Sequence, residues 1–258
     1  MIHLKNAYQL ECMRKAGAAL FEVLCRLKEA VKPGMSTAAL DVYAEQLILK
    51  HKAVPSFLDY KGYPASICTS LNDQVVHGIP SDASILMEGD ILSVDCGLVL
   101  DGWQADSAFT IGVGAISVDA RRLINVTEEC FFKGIRQAIQ GNHTGDIGYA
   151  VQACAEANGY GVVRDLTGHG IGRSMHEEPS VPNFGTPKHG PKLRPGMTLA
   201  VEPMITQADY PVKLLEDGWT TVTRDGGLCS HYEHTIAVTE NGLPELLTYP
   251  GFVLVEEA

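Results

Sequence analysis

The chain has 258 residues, a formal net charge of −11 and 45% hydrophobic side chains. This length and apolar content suffice to bury a large core, and we expect residues 1–258 to form one domain. The acidic balance, with no basic block, argues against direct nucleic-acid binding. No apolar run approaches the roughly 18 residues of a membrane span, and no signal-like segment follows Met1, so no membrane association is expected.

The cysteine pattern indicates a reducing compartment. The seven cysteines are odd in number and form no Cys-x-x-Cys pair, so a disulfide framework is not expected. We therefore expect a cytoplasmic protein with free thiols.

The first half predicts two helices. Apolar residues recur at alternating steps of three and four over residues 6–31, and the pattern stops at Pro33-Gly34. Thr37 is the expected cap of a second helix. The apolar face of that second helix is Leu40, Ala44, Leu47 and Ile48.

The second half predicts two more helices. Ser117 is the expected cap of a helix over residues 118–140, and Thr144 starts another that ends at Asn158-Gly159. Residues 33–37 resemble residues 140–144, so the halves are related. The fold class is predicted to be α+β, a pseudo-twofold arrangement with a curved antiparallel sheet inside and helices outside.

The repeat also aligns acidic residues. Superposing Gly89 on Gly196 places Asp95 on Glu202. In the first half, Asp95 and Asp106 flank a turn at residues 100–102, and either register of the hairpin puts them on one face, roughly 5–8 Å apart at Cβ. Facing carboxylates repel, so a cation between them is expected; two exposed acids at a sheet rim are the alternative.

The second half adds two carboxylates and an imidazole. Glu202 ends an apolar strand, Glu233 precedes another, and His169 lies in a glycine-rich segment between the halves. That segment lacks the spacing of a phosphate-binding loop. Oxygen ligands with one imidazole suit Mn, Fe(II), Co or Zn, and two ions roughly 3.5–4 Å apart that share a water would make a hydrolase.

Several ordered motifs follow one another along the chain: residues 66–80, Val94-Asp95, Asp106, residues 168–172, residues 176–179, residues 201–204, residues 217–219 and residues 232–235. Together they resemble one family, the methionine aminopeptidases of type I. The resemblance spans essentially the whole chain and implies a pita-bread fold that removes the initiator methionine. Type I is indicated because the segment from Glu202 to Glu233 is too short for the helical insertion of type II, and an N-terminal zinc-binding extension is not expected.

The resemblance implies the metal ligands. They are Asp95, Asp106, His169, Glu202 and Glu233. Asp106 and Glu233 would bridge two divalent ions (Co, Mn, Fe(II), Zn or Ni), with Asp95 on one and the remaining two ligands on the other. The family also holds a monovalent cation on backbone carbonyls near Asn72, Gln74 and Cys229.

The resemblance also implies the catalytic and substrate-binding residues. His176 would donate to the scissile carbonyl oxygen, His77 would contact the leaving amine, and Glu202 would shuttle protons for a metal-activated water. The methionine pocket is assigned to Phe57, Tyr60, Tyr63, Cys68, Met175 and Trp219. Met175 and Phe57 stand where relatives often carry an aromatic residue and a cysteine.

The implied partners are the N-terminal methionine of nascent peptides and ribosome-associated chains, and the implied state is a monomer. Two rival functions share the pattern. An Xaa-Pro aminopeptidase or prolidase has the same ligand set, usually behind a further N-terminal domain. A non-catalytic pita-bread protein would bind peptides or proteins, but such relatives typically lose ligands.

Overall fold

A computed structural model describes residues 1–240 and 242–255. Four α-helices occur among them: α1 (Ala7–Ala30), α2 (Thr37–Lys50), α3 (Val118–Ile135) and α4 (Thr144–Ala157). The β-strands are β1 (Val54–Pro55), β2 (Ile67–Leu71), β3 (Gln74–Val76), β4 (Ile91–Leu100), β5 (Trp103–Gly112), β6 (Gly161–Val162), β7 (Thr167–Gly170), β8 (Glu177–Pro182), β9 (Thr198–Val201), β10 (Met204–Thr206), β11 (Val212–Leu214), β12 (Thr221–Thr223), β13 (Cys229–His231), β14 (Glu233–Ala237) and β15 (Glu245–Leu246).

The helix caps refine the expected boundaries. The cap of α2 is Ser36, whose hydroxyl accepts from the Ala39 amide at 3.1 Å, and Thr37 is instead the first helical residue. Ser117 caps α3 as expected. That helix ends at Ile135 and not near residue 140, because the backbone tightens into turns in which the Ala138 amide donates to the Ile135 carbonyl.

The central element is a nine-stranded sheet in which every pairing is antiparallel. Its main path runs β1-β4-β5-β14-β9-β7-β8, with β2 added to β4 and β15 added to β14. The pairing of β5 with β14 therefore joins the two halves of the chain in one sheet. The smaller sheets are β13-β10-β6 and β11-β12-β3.

The turn between β4 and β5 fixes the register of the first carboxylate pair. Leu100 pairs with Trp103, so the turn is Asp101-Gly102, and both residues have positive φ values of 51° and 76°. This is the two-residue turn whose twist suits a hairpin. Asp95 therefore lies one diagonal step from Asp106 and not directly opposite it.

The pseudo-twofold relation between the halves is visible in the backbone. Isolated bridges join Ser36 to Ile85 in the first half and His143 to Lys192 in the second. The superposition that places Asp95 on Glu202 also places Ser36 on His143 and Ile85 on Lys192. The helices and the antiparallel sheet confirm the expected α+β class with its pseudo-twofold repeat.

The core lies between the helices and one face of the sheet. Leu92, Val94 and Leu98 of β4 pack with α1 and α2, while Leu199 and Val201 of β9 pack with the end of α3. Each fully buried side chain of this kind contributes about 1.5–3 kcal/mol. Because side chains alternate along a strand, residues between these positions face the other way. Within the described residues, no helix has the length and apolarity to cross a membrane.

Candidate metal centre

Five neighbouring strands contribute one side chain each to the face opposite the helices. Their order across the sheet is β4, β5, β14, β9 and β7. The side chains are Asp95 on β4, Asp106 on β5, Glu233 on β14, Glu202 just after β9, and His169 on β7. Because side chains alternate along a strand, Val94 and Val201 point into the core, and the acidic residues that follow them point to the other face of the sheet.

The side chains converge closely. One ligand atom each from Asp106, His169 and Glu233 lies within 4.8 Å of the others. The His169 Nε2 atom is 3.9 Å from Asp106 Oδ2 and 3.6 Å from Glu202 Oε1. Asp95 lies beside Asp106, and the two carboxyl groups interact directly. The structure thus brings together all five residues for which metal binding was expected.

The carboxyl groups hold protons more tightly than isolated acids do. Burial raises the pKa of Asp106 to about 7. Burial and the neighbouring carboxylates raise the pKa of Asp95 and Glu233 well above their ordinary values, and burial and Asp106 do the same for Glu202. Such a cluster is stable in its ionised form only with a cation among its oxygens.

Unsatisfied atoms indicate what fits the cluster. Asp95 Oδ1, Asp106 Oδ1 and Glu233 Oε1 are buried without a hydrogen-bond partner among the described residues. The Nδ1 atom of His169 lies 2.8 Å from the Gly170 carbonyl, to which it donates, so the lone pair of Nε2 faces the carboxylates. Oxygen acceptors with one imidazole match the ligands of a catalytic divalent ion, so the residues fit such a metal.

A cavity of about 190 Å³ opens beside the cluster. Its lining includes all five cluster residues. The other lining residues are Phe57, Tyr60, Lys61, Tyr63, Cys68, His77, Met175, His176 and Trp219. Every side chain assigned to substrate binding from the sequence therefore reaches one cavity.

His176 is held by Tyr60 on the wall of the cavity. The Tyr60 hydroxyl lies 2.8 Å from His176 Nδ1, and the two rings stack with centroids 5.4 Å apart. The His176 ring also lies 4.2 Å from the His169 ring. Burial, followed by the nearby His169, lowers the pKa of His176 to about 4. His176 is therefore neutral at physiological pH.

His77 also lines the cavity. Its ring meets Trp219 edge-on, with centroids 6.3 Å apart, and burial lowers its pKa. Its φ of 61° is left-handed, a conformation that costs a residue with a side chain about 1–2 kcal/mol. Strain of this kind persists where the surrounding structure requires one orientation of the side chain.

Sequence reasoning missed two residues of this region. Lys61 lines the cavity, and His231 places Nε2 3.8 Å from Glu233 Oε2 while that nitrogen lacks a hydrogen-bond partner among the described residues. The two-residue spacing of His231 and Glu233 gave a signal, since alternate residues of extended chain share a face. Lys61 gave none, because an exposed lysine in a turn is ordinary.

Metal binding is predicted to release protons at weakly acidic pH. The raised pKa of Asp106, and the higher ones of the other acids, leave protons on the metal-free cluster that a divalent ion must displace. Titration with Mn²⁺ at about pH 6.5 should release at least about one proton per protein, and fewer at about pH 9. Calorimetry in buffers of different ionisation enthalpy measures this number. Binding heats that are identical in all buffers at the lower pH would contradict the prediction.

Comparison with known proteins places the chain in a family. Residues 11–240 match the model of metallopeptidase family M24. The chain is 54% identical over 248 residues to the methionine aminopeptidase of Clostridium acetobutylicum, covering 96% of this chain and 99% of that protein.

Solved structures agree with this placement. The crystal structure of methionine aminopeptidase from Rickettsia prowazekii superposes with a TM-score of 0.94 at 44% identity, covering 96% of this chain and 100% of that one. The Xaa-Pro dipeptidase from Bacillus anthracis shares only the fold, with a TM-score of 0.76 at 22% identity over 98% of this chain and 63% of that one. The chain has the pita-bread fold and belongs to metallopeptidase family M24, among the methionine aminopeptidases.

Proposed function

We propose that the protein is a metal-dependent aminopeptidase that removes the N-terminal methionine from new polypeptides. The observation that carries this proposal is the position of the cluster. Four carboxylates and His169 close one end of a small cavity whose walls are aromatic and sulfur-containing side chains. The 54% identity to a protein named methionine aminopeptidase supports the same substrate.

Two divalent ions are proposed as the cofactor, with Co, Mn, Fe(II), Zn or Ni as the candidates. Asp106 and Glu233, the two acids on the paired central strands, would contact both ions. Asp95 would hold the first ion, and His169 with Glu202 the second. When bound, such ions polarise the scissile carbonyl and lower the pKa of a water to near neutrality.

His176 is proposed as the donor to the carbonyl oxygen of the scissile bond. Tyr60 donates its hydroxyl proton to Nδ1 in this account, which leaves the imidazole proton on Nε2. A neutral imidazole held in this tautomer stabilises negative charge that develops on the oxygen. The low pKa of His176 keeps it in this form above about pH 4.

Glu202 and His77 are proposed to handle protons on the two sides of the peptide bond. Glu202 lies 3.6 Å from His169 at the edge of the cluster, where its carboxylate can take a proton from the attacking water and deliver it to the leaving amine. His77, neutral because burial lowers its pKa, would contact the peptide nitrogen.

The side chain of the substrate methionine is proposed to occupy the apolar end of the cavity. Phe57, Tyr63, Cys68 and Met175 pack together there, and Trp219 lies against them. The Tyr63 ring meets Trp219 edge-on at 5.1 Å. Polarisable sulfur and aromatic edges make favourable contacts with a thioether. The limited volume favours one unbranched side chain.

We further propose that residues 1–258 form one catalytic domain, which is consistent with the single sheet that both halves build. The enzyme works as a monomer in the cytoplasm on chains emerging from ribosomes. A monovalent cation is proposed to bind backbone carbonyls near Asn72, Gln74 and Cys229.

Peptide hydrolysis tests the proposal against its rivals. The metal-loaded protein should cleave Met-Ala-Ser at least about 100-fold faster than Leu-Ala-Ser, because the pocket must reject a branched side chain. The matched peptide with norleucine, which replaces the sulfur by a methylene, should lie within about tenfold of Met-Ala-Ser. N-acetylation should abolish cleavage. Faster hydrolysis of Xaa-Pro peptides would favour a prolidase-like enzyme, and no hydrolysis of any methionyl peptide would favour a binding protein.

A further inference from the structure

The segment that carries His176 is a short irregular connection between β7 and β8. We call residues 171–176 the histidine loop; it also carries Met175, so one segment supplies both a proposed donor and a wall of the proposed methionine pocket. Few of its backbone groups join the sheet. Its shape must therefore come from other contacts.

Glu177 supplies the contacts at the end of the loop. Its Oε1 atom accepts hydrogen bonds from the Arg173 amide at 2.9 Å and the Ser174 amide at 3.2 Å. Its Oε2 atom accepts from the Lys5 ammonium at 2.7 Å. One carboxylate thus ties the backbone of the loop to a residue 172 positions away, before the first helix.

The ion pair is enclosed. The side chains of Lys5 and Glu177 are only 4% and 10% exposed. Burial alone would raise the pKa of Glu177, but the Lys5 ammonium and the two loop amides outweigh it, so the pKa is lowered. Lys5 also donates to the His3 carbonyl at 3.3 Å. Both charges are therefore satisfied within the protein.

The local sequence provides room for this pair. A Cβ atom at Gly172 would lie 2.6 Å from both Glu177 Oε1 and Lys5 Cε, so a larger residue there would displace one of these two side chains. The chain before α1 is itself anchored, because the Lys5 amide donates to the Gly196 carbonyl at 2.8 Å. Separately, the Arg173 guanidinium covers the Trp103 ring at 4.2 Å and fixes the outer edge of the loop.

We propose that the Lys5–Glu177 ion pair positions the histidine loop for catalysis, so that His176 and Met175 face the substrate. A buried ion pair adds little net stability, because desolvation of the charges offsets their attraction. It does fix the relative position of the two charged side chains, and one of them belongs to Glu177, the residue next to His176. This inference rests on the proposed function, since the loop matters for catalysis only if His176 contacts the substrate.

The test compares variants of the full-length protein. Lys5→Met removes the charge and keeps an unbranched side chain that is one atom shorter. Lys5→Arg keeps the charge, and Glu177→Gln keeps an acceptor oxygen for the amides but not the ion pair. Lys15→Met is the matched control, because Lys15 is exposed on α1. The double variant with Lys5→Met and Glu177→Gln leaves no unpaired charge.

Hydrogen exchange in the metal-free protein measures directly how well the amides of the histidine loop are protected. In Lys5→Met, the Arg173 and Ser174 amides should exchange at least about tenfold faster, while amides of the central strands keep their rates. Lys5→Arg should restore most of the protection. The double variant should lose less protection than Lys5→Met, since no buried carboxylate remains uncompensated. If Lys5→Met does not fold, the same shift is expected in Glu177→Gln.

Kinetics of the metal-loaded variants supply the second readout. For Met-Ala-Ser, Lys5→Met should lower kcat at least about tenfold and change KM less than about threefold, with metal content unchanged. Lys5→Arg should recover most of kcat. Wild-type exchange at both amides in Lys5→Met and Glu177→Gln, or the same kcat loss in Lys15→Met, would overturn the proposal. The exchange result is decisive even if the protein cleaves no methionyl peptide, so failure of the proposed function would be recognised separately.

Discussion

Replacing Glu233 with alanine is expected to lower kcat/KM for Met-Ala-Ser at least about 1,000-fold and to remove bound metal. Glu233 is 2% exposed, and its Oε1 atom has no hydrogen-bond partner among the described residues. In the proposed arrangement it contacts both ions, so its loss weakens both sites. Metal analysis after gel filtration should find one ion or fewer per protein.

Stability measurements add a second and independent result for this variant. The neighbouring carboxylates raise each other's pKa, so removing one relieves repulsion in the metal-free protein. Metal-free Glu233→Ala should unfold no earlier than the metal-free wild type, whereas added Mn²⁺ should raise the Tm of the variant much less than that of the wild type. Glu240→Ala, an exposed acid just after β14, is the matched control. Retention of two ions by Glu233→Ala would contradict the bridging role.

Replacing His176 with alanine is expected to lower kcat about 100- to 1,000-fold while both ions remain bound. His176 lines the cavity and lies 4.2 Å from the His169 ring, but its Nδ1 is engaged by Tyr60. An interaction made chiefly in the transition state affects kcat more than KM. KM for Met-Ala-Ser should therefore stay within about threefold of the wild-type value.

The pH profile of turnover should also reflect the neutral state of His176. Because the pKa of His176 is lowered to about 4, the wild-type profile should show no step from this residue between about pH 6 and 8. Tyr60→Phe should also lower kcat, but by a smaller factor than His176→Ala does, since it removes only the hydroxyl that orients the imidazole. His189→Ala, an exposed histidine outside the cavity, is the control. Wild-type turnover in His176→Ala would rule out its assigned role.

The fold was largely predictable because its signals are local or repeated. The alternation of apolar and acidic residues in β4 and β9 sets which face each carboxylate occupies, and the repeat relates the two halves. The turn left two registers open from sequence, and the positive φ values at Asp101 and Gly102 select one. Ser36 rather than Thr37 caps α2; the two neighbours are both cap-forming residue types, and serine is somewhat preferred at this position.

The contacts that support the candidate site were much less predictable. The Lys5–Glu177 pair joins segments that only the folded chain brings together, and no periodicity connects them. The hydrogen bond from Tyr60 to His176 likewise depends on two distant segments of the chain meeting at the wall of the cavity. Sequence motifs identified the residues that line the cavity, but the groups that hold them arise from tertiary packing.

Four carboxylates and one imidazole, drawn from five neighbouring strands, are expected to bind a pair of divalent ions. Anomalous diffraction from crystals of chelated protein reloaded with Mn²⁺ would locate these ions. Two anomalous peaks should lie among these side chains, with Asp106 and Glu233 in contact with both. Peaks only at other places on the protein, with no anomalous density at the cluster, would contradict the account.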